Sequence, residues 1–173
     1  MKDLKECIRD IKDFPEKGII FRDITSILEN AESLKFAIDS MQKEISELDF
    51  DAVVGPESRG FIFGMPIAYN LGKSFVPVRK KGKLPGETIS VEYSLEYGDK
   101  TVIEMHKTAL KPGQKVVIAD DLMATGGTIE AAVKLVEKLG AKVVGAVFLI
   151  ELTDLKGREK IKDIPNIYSV VKY

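Results

Sequence analysis

The residue types best suited to chemistry lie together between Lys115 and Gly140. An apolar run, Val116-Val-Ile-Ala, leads into two adjacent carboxylates and then into a loop. The loop consists of Ala124, Thr125, Gly126, Gly127 and Thr128. Glycines let a backbone approach a ligand closely, and a helix that begins near Thr128 would present unpaired N–H groups and a positive dipole end. With the two threonine hydroxyls, these groups match the requirements of a phosphate dianion.

The two carboxylates, Asp120 and Asp121, indicate what the phosphate is attached to. Adjacent negative charges would repel a second phosphate, but they accept hydrogen bonds from vicinal hydroxyls, so the segment predicts a site for ribose 5-phosphate. A divalent metal could share the same carboxylates. A turn that only caps a helix needs one such polar residue rather than five. The sequence has neither GxxxxGK[ST] nor GxGxxG, the common nucleotide-binding loops.

Helical and extended periodicities alternate along the chain and position this segment. A short first helix is predicted through Leu4, Ile8 and Ile11, closed by Phe14-Pro15. We predict further helices over residues 31–48, 61–71 and 128–139, and strands over 51–55, 74–78, 115–119, 142–150 and 167–171. This order predicts an α/β fold with a mostly parallel twisted sheet flanked by helices. Ligands of such sheets bind beyond the carboxyl ends of the strands, where the aspartates and the loop fall.

Residues 79–100 interrupt the alternation. The run Arg79-Lys-Lys-Gly-Lys-Leu-Pro-Gly-Glu is polar and contains turn-forming residues. Residues 88–93 and 101–105 could then pair as a two-stranded ribbon. A long polar insertion inside a compact domain is usually either disordered or functional.

Composition excludes several classes of protein. The chain has 173 residues, enough for one domain, and its net charge of −1 gives no field that would attract nucleic acid or an acidic membrane. It opens without an apolar run of signal-peptide length, and we expect a cytoplasmic protein. Cys7 has no second cysteine to pair with and is predicted to be a part-buried apolar residue. His106 has no nearby His or Cys, so no metal cluster is predicted.

Five further segments carry a family resemblance. They read Phe14-Pro-Glu-Lys-Gly-Ile-Ile-Phe-Arg-Asp-Ile-Thr, Glu57-Ser-Arg-Gly-Phe-Ile-Phe-Gly, Arg79-Lys-Lys-Gly-Lys-Leu-Pro-Gly, Tyr93-Ser-Leu-Glu-Tyr-Gly and Glu151-Leu-Thr-Asp-Leu-Lys-Gly-Arg. Together with the acidic pair and the Thr-Gly-Gly-Thr loop, they make the chain resemble the type I phosphoribosyltransferases. Within that group, it is most similar to the adenine phosphoribosyltransferases, and the resemblance extends over essentially the whole chain.

The resemblance implies a reaction and an organisation. The 5-phosphoribosyl group would pass from 5-phosphoribosyl 1-pyrophosphate to adenine, giving AMP and pyrophosphate in purine salvage. It implies Mg²⁺, bound mainly through the substrate rather than by protein ligands, and a homodimer. It further implies a single type I phosphoribosyltransferase domain over residues 1–173, in which residues 1–30 and 79–105 contribute a small hood and a mobile loop over the site.

On the phosphate side, the resemblance implies roles for individual residues. Glu57, Ser58 and Arg59 would form the pyrophosphate loop, often with a non-proline cis peptide, although family members often carry Asp where this chain has Glu57. Arg79 and Lys83 would lie near the pyrophosphate. The catalytic set would be Arg59, Asp120, Asp121 and Glu96. In it, the aspartates favour positive charge on the ribose and Arg59 favours negative charge on the leaving group.

On the base side, the resemblance implies that Phe21 stacks on the adenine ring. The main chain of Ile20 and Arg22 would read the edge of the base, and Leu155 would close its opposite face. Glu96 would handle the purine proton, and Tyr97 belongs to the same mobile loop.

Two alternatives remain open on the sequence. The acceptor could be hypoxanthine, guanine or xanthine, which competition assays would distinguish from adenine. The chain could instead be a regulator that binds phosphoribosyl pyrophosphate and acts on DNA or protein. Such regulators generally carry an additional partner domain, and 173 residues leave no room for one.

Overall fold

The computed structural model describes residues 3–94 and 100–173, and the chain forms two compact units, residues 1–40 and 41–173. The first unit contains two short helices, a two-stranded antiparallel sheet and the start of a longer helix. These elements are α1 (Leu4–Cys7), β1 (Arg9–Lys12), β2 (Ile20–Asp23), α2 (Thr25–Leu28) and α3 (Ala31–Ile45). Helix α3 confirms the predicted helix over 31–48 and ends three residues earlier.

The predicted first helix is wrong beyond Cys7. Ile8 is extended, and Ile11 lies in β1 opposite Phe21 of β2. Apolar spacing over eight residues is too short to separate helix from strand, and pairing with β2 satisfies the backbone groups of both segments. The turn between the strands contains a cis bond before Pro15, and the Phe14 and Phe21 rings pack edge to face with centroids 5.2 Å apart.

The second unit has the predicted α/β order. Its elements are β3 (Ala52–Pro56), α4 (Arg59–Asn70), β4 (Ser74–Lys80), β5 (Thr88–Ser94), β6 (Lys100–His106), β7 (Lys115–Met123), α5 (Gly127–Lys138), β8 (Lys142–Glu151), two short 3-10 helices (Thr153–Leu155 and Gly157–Ile161) and β9 (Ile167–Lys172). The central strands are near-continuous runs of Val, Ile and Ala with no exposed face, as in β3, where all five residues are buried. Such runs are typical of parallel strands covered on both faces.

The seven strands lie in the order β5-β6-β4-β3-β7-β8-β9, and the five from β4 to β9 are parallel. The connection β3–α4–β4 runs toward one edge of the sheet, whereas β7–α5–β8 runs toward the other. Right-handed crossovers therefore place α4 and α5 on opposite faces. The strand order reverses between β3 and β7, which is the position where open α/β sheets bind ligands.

The predicted pairing of the two ribbon strands is confirmed, and the ribbon is also joined to the main sheet. Strands β5 and β6 pair antiparallel over their whole length, but β6 also pairs with β4 through Arg79 and Lys80. The ribbon is thus the edge of the main sheet. The polar turn between β4 and β5 is fastened to β6, because Glu104 accepts a hydrogen bond from the Gly82 amide and His106 Nε2 lies 2.8 Å from the Pro85 carbonyl oxygen.

Within the described residues, no helix has both the length and the apolar character needed to cross a bilayer.

Candidate active site

The loop after β3 forms one wall of the candidate site. Its Glu57–Ser58 peptide bond is cis, as the resemblance led us to expect, and α4 begins directly afterwards at Arg59. The next residue, Gly60, packs against the end of β7: a Cβ there would lie 2.8 Å from Asp120 Oδ1 and 3.2 Å from the Ala119 carbonyl oxygen. Glycine at position 60 therefore allows the start of α4 to pack closely against the β7 carboxylates.

The loop after β7 forms the opposite wall. Gly126 sits at the start of α5 with φ of +81°, a conformation that favours glycine, and it has no side chain to cap the helix. The first N–H groups of α5 therefore face the loop without a side-chain acceptor from Gly126. A Cβ at Gly126 would lie 2.5 Å from the Gly157 carbonyl oxygen, so the loop rests directly on the backbone that follows β8.

The aspartates at the end of β7 are both buried, with 9% of Asp120 and 4% of Asp121 exposed. Arg59 Nε lies 3.0 Å from Asp121 Oδ2 as an ion pair. Within the described residues, Asp121 Oδ2 is a buried oxygen that accepts no hydrogen bond. Asp120 Oδ1 accepts one from the Asp121 amide at 2.9 Å.

Burial dominates the electrostatics of this pair. It raises the pKa of Asp120 well above its ordinary value, and the neighbouring Asp121 charge adds to the increase. Burial likewise raises the pKa of Asp121, while the Arg59 guanidinium opposes that increase. Among the described residues, the Arg59 ion pair with Asp121 thus faces two buried carboxylates. This arrangement favours an additional cationic or hydroxyl-bearing group beside them.

Between these walls lies a cleft of about 240 Å³. It is lined by Glu57, Ser58, Arg59, Asp120, Asp121, Ala124, Thr125, Gly126, Gly127 and Thr128, together with Leu122, Met123 and Ile129. The structure therefore brings together every residue predicted for the ribose 5-phosphate site and the three predicted for the pyrophosphate loop. The cleft lies at the β3–β7 switch point.

Two basic residues predicted near pyrophosphate do not line this cleft. Arg79 Nε donates to Glu57 Oε2 at 2.7 Å, and Arg79 Nη1 donates to the Lys83 carbonyl oxygen at 3.1 Å. The second Glu57 oxygen accepts a hydrogen bond from the Lys80 amide at 2.9 Å. Those contacts outweigh the effect of partial burial and lower the pKa of Glu57. They join the loop after β3 to the basic end of β4, and a direct contact of Arg79 or Lys83 with pyrophosphate stays a prediction.

Comparison with known proteins identifies the family. The model of the phosphoribosyl transferase domain matches residues 23–172. The adenine phosphoribosyltransferase of Lachnoclostridium phytofermentans is 66% identical over all of this chain and 98% of its own length. The crystal structure of adenine phosphoribosyltransferase from Thermoanaerobacter pseudethanolicus superposes with a TM-score of 0.93 at 53% identity, covering 98% of both chains. This chain belongs to the adenine phosphoribosyltransferase family.

Another adenine phosphoribosyltransferase structure, from Saccharomyces cerevisiae, contains adenine and an imino-altritol bisphosphate. It is 40% identical to this chain, with a TM-score of 0.89 and 96% of both chains covered. Family membership confirms the type I fold and the class of enzyme, a pentosyltransferase, that the resemblance led us to expect.

The base-side residues predicted for an adenine phosphoribosyltransferase lie in separate units. Ile20, Phe21 and Arg22 belong to β2 in the first unit, where Arg22 forms an ion pair with Asp10. Leu155 lies in the second unit, in a 3-10 helix, and is 43% exposed. Glu96 and Tyr97 lie outside the described residues. The base-side roles of Ile20, Phe21, Arg22, Leu155 and Glu96 stay predictions, and so does the mobile-loop role of Tyr97.

Sequence reasoning missed three residues that shape the cleft of this family member. Gly60 and Gly157 act through close backbone approach, which leaves no periodic signal in a sequence. Tyr93 contacts the loop through its hydroxyl, 3.1 Å from Thr128 Oγ1. Its position in the apolar alternation Ile89, Val91, Tyr93 could have indicated that it faces inward.

Proposed function

We propose that this chain transfers the 5-phosphoribosyl group from 5-phosphoribosyl 1-pyrophosphate to adenine, forming AMP and releasing pyrophosphate in purine salvage. The observation that carries the proposal is the single cleft in which the loop from Ala124 to Thr128 adjoins Asp120, Asp121 and Arg59. The loop suits a 5-phosphate, the aspartates suit ribose hydroxyls, and the guanidinium suits a second anionic group.

The mechanism follows from where these charges lie. As the bond between the anomeric carbon and pyrophosphate breaks, its electron pair leaves with pyrophosphate and positive charge develops on the ribose. The Asp120–Asp121 pair favours that positive charge, and Arg59 favours the growing negative charge on the leaving group. A ring nitrogen of adenine then forms the new bond to the anomeric carbon and loses its proton, for which Glu96 is the proposed acceptor.

Mg²⁺ fits the carboxylate side of the cleft. Asp121 Oδ2 is a buried oxygen that accepts no hydrogen bond within the described residues, and carboxylate oxygen is a ligand type that Mg²⁺ prefers. Across residues 3–94 and 100–173, no cluster of three or more His, Cys, Asp or Glu side chains could hold a metal. We propose that substrate oxygens hold the ion, with Asp120 and Asp121 beside it. When bound, Mg²⁺ would neutralise charge on the pyrophosphate.

Several further assignments rest on the family resemblance. We propose adenine binding by Phe21 with the main chain of Ile20 and Arg22, and by Leu155. Pyrophosphate contacts are proposed for Glu57, Ser58, Arg59, Arg79 and Lys83, and a mobile-loop role for Tyr97. We also propose that residues 1–173 act as one domain, in a homodimer. A cytoplasmic location fits the single cysteine and the near-neutral net charge.

The decisive experiment is an assay of AMP formation from labelled adenine and phosphoribosyl pyrophosphate with Mg²⁺, with hypoxanthine and guanine as parallel acceptors. Turnover with adenine alone is the expected result. Turnover with another base would retain the phosphate and ribose sites and overturn the adenine assignment. Binding of the phosphoribosyl donor without turnover of any base would favour the regulator alternative.

A further inference from the structure

Tyr93 connects the edge of the sheet to the phosphate loop. Its hydroxyl oxygen lies 3.1 Å from Thr128 Oγ1, and either atom could donate the hydrogen bond. Tyr93 is in β5, whereas Thr128 is in the first turn of α5. This contact belongs to none of the roles proposed above, yet it falls on a hydroxyl that lines the cleft.

Packing fixes the position of the Tyr93 ring. Residues Ile89, Val91 and Tyr93 alternate along β5 on its less exposed face, while Ser90, Glu92 and Ser94 are exposed. Ile89 and Tyr93 both pack against the core cluster that includes Ile129 and Leu135 of α5. The ring also passes beside the loop, since Tyr93 Cδ2 would lie 3.6 Å from a Cβ at Gly127. The hydroxyl is therefore held in place before any ligand binds.

The chemistry of the ligand decides the direction of this hydrogen bond. A phosphate dianion only accepts hydrogen bonds, so the single Thr128 hydroxyl proton must point toward the phosphate for that group to contribute to binding. The Thr128 oxygen then becomes an acceptor, and Tyr93 must be the donor. A hydroxyl that accepts one hydrogen bond while it donates another is polarised into a stronger donor.

We propose that Tyr93 is a positioning residue for the 5-phosphate, donating to Thr128 so that the Thr128 hydroxyl donates to the ligand. The inference rests on the proposed function of the loop as a phosphate site. If Tyr93 has this role, its hydroxyl strengthens the binding only of ligands that carry the phosphate. A purely structural hydroxyl would instead affect the binding of every ligand of the cleft alike.

The test compares Tyr93→Phe, which removes one oxygen and keeps the packed ring, with Tyr69→Phe, the same change at a residue 83% exposed on α4. Dissociation constants for ribose 5-phosphate, AMP and adenosine are measured by calorimetry on the full chain. Tyr93→Phe should weaken ribose 5-phosphate and AMP about three- to tenfold, the scale of one hydrogen bond. It should leave adenosine unchanged, and Tyr69→Phe should change none of the three.

A double-mutant cycle with Thr128→Val locates the effect. In the Thr128→Val background, Tyr93→Phe should weaken AMP binding no further, because the hydroxyl it orients is gone. In turnover, Tyr93→Phe should raise KM for phosphoribosyl pyrophosphate about three- to tenfold, with kcat within about twofold.

Each contrary outcome has one meaning. Unchanged AMP binding in Tyr93→Phe, an equal loss for AMP and adenosine, or additive effects in the cycle would overturn the role of Tyr93 while leaving the phosphate loop intact. Failure of the unaltered protein to bind ribose 5-phosphate would overturn the proposed function itself, and this inference with it.

Discussion

Two neighbouring parallel strands carry buried carboxylates near their carboxyl ends, and the negative charge is paired differently at the two ends. At the end of β8, Glu151 is 5% exposed and receives two parallel hydrogen bonds from Arg158, Nε to Oε1 at 2.7 Å and Nη2 to Oε2 at 2.8 Å. At the end of β7, Asp121 forms an ion pair with Arg59, and Asp120 forms none among the residues that the structure describes. Burial weighs more heavily on the carboxylate charges of Asp120 and Asp121 than on that of Glu151. Glu151 also has two well-aligned hydrogen-bond donors.

The pKa values record that difference. Hydrogen bonding to Arg158 lowers the pKa of Glu151, whereas burial raises those of Asp120 and Asp121. A carboxylate bound by a bidentate guanidinium has its charge and hydrogen-bonding capacity matched within the fold. A buried pair with one partner is a cost to the fold that a ligand can offset, and such sites are candidates for function. A buried carboxylate by itself therefore does not identify an active site.

The largest expected effect is on catalysis at the β7 end. Asp120→Asn or Arg59→Ala should lower kcat/KM by about 10²–10³-fold, the scale for one preorganised electrostatic group. Glu151→Gln, an equivalent loss of charge at the β8 end, should leave kcat/KM within a few-fold of normal. Steady-state AMP formation measures all three. Equal losses at both ends would remove the distinction between them.

The next effect is on stability at the β8 end. Arg158→Met should lower the free energy of unfolding by about 2–3 kcal/mol, below the usual cost for breaking a fully buried pair because 39% of the Arg158 side chain is exposed. Urea denaturation measures the change. The control, Lys134→Met, breaks an exposed ion pair with Glu130 and should cost less than about 1 kcal/mol. Similar losses in the two variants would mean that burial of Glu151 adds nothing.

A smaller change in stability, of opposite sign to that at the β8 end, is expected when Asp120 of β7 loses its charge. Asp120→Asn keeps an oxygen for the Asp121 amide and removes a buried charge that repels its neighbour. It should stabilise the ligand-free protein by about 1 kcal/mol, raising Tm by about 2–4 °C. Thermal denaturation of the two proteins is the measurement, and a lower Tm for Asp120→Asn would show that its charge is already compensated.

The sequence predicted the fold where local pattern and burial agree. The Val- and Ile-rich runs in β7 and β8 and the apolar stripe of α5 gave the correct elements to within a few residues. Their strand-like length and β-branched content identified the strands, and the 3.6-residue spacing identified the helix. The pattern failed around Ile11, where a short exposed strand and a helical turn have the same apolar spacing. It also missed the join between β4 and β6, since pairing of an edge strand depends on backbone geometry rather than side-chain type.

The site was predictable only in part for a similar reason. Asp120, Asp121 and the loop after them are contiguous, so one segment contained the whole signal. Arg59 reaches the aspartates through the β3–β7 reversal and the missing Cβ at Gly60, neither of which periodicity encodes. The matched segment from Glu151 to Arg158 carried family information, but its ion pair depends on a turn with Lys156 at φ of +53°, a rare conformation that sequence spacing does not reveal.

The smallest effect, dependence of stability on pH, should have opposite signs at the two strand ends. The raised pKa of Asp120 means that the folded state binds protons more tightly than the unfolded chain, so its stabilising contribution falls as pH rises above the ordinary value of 3.8. The lowered pKa of Glu151 means that its contribution is present above the ordinary value of 4.5 and is lost as pH falls through the folded value. The gain in stability from Asp120→Asn should therefore grow as pH rises above the ordinary value of 3.8. The cost of Glu151→Gln should also grow with pH. Urea denaturation of the three proteins from pH 4 to 8 measures both trends, and a gain from Asp120→Asn that is constant with pH would mean that the aspartate carries no shifted charge.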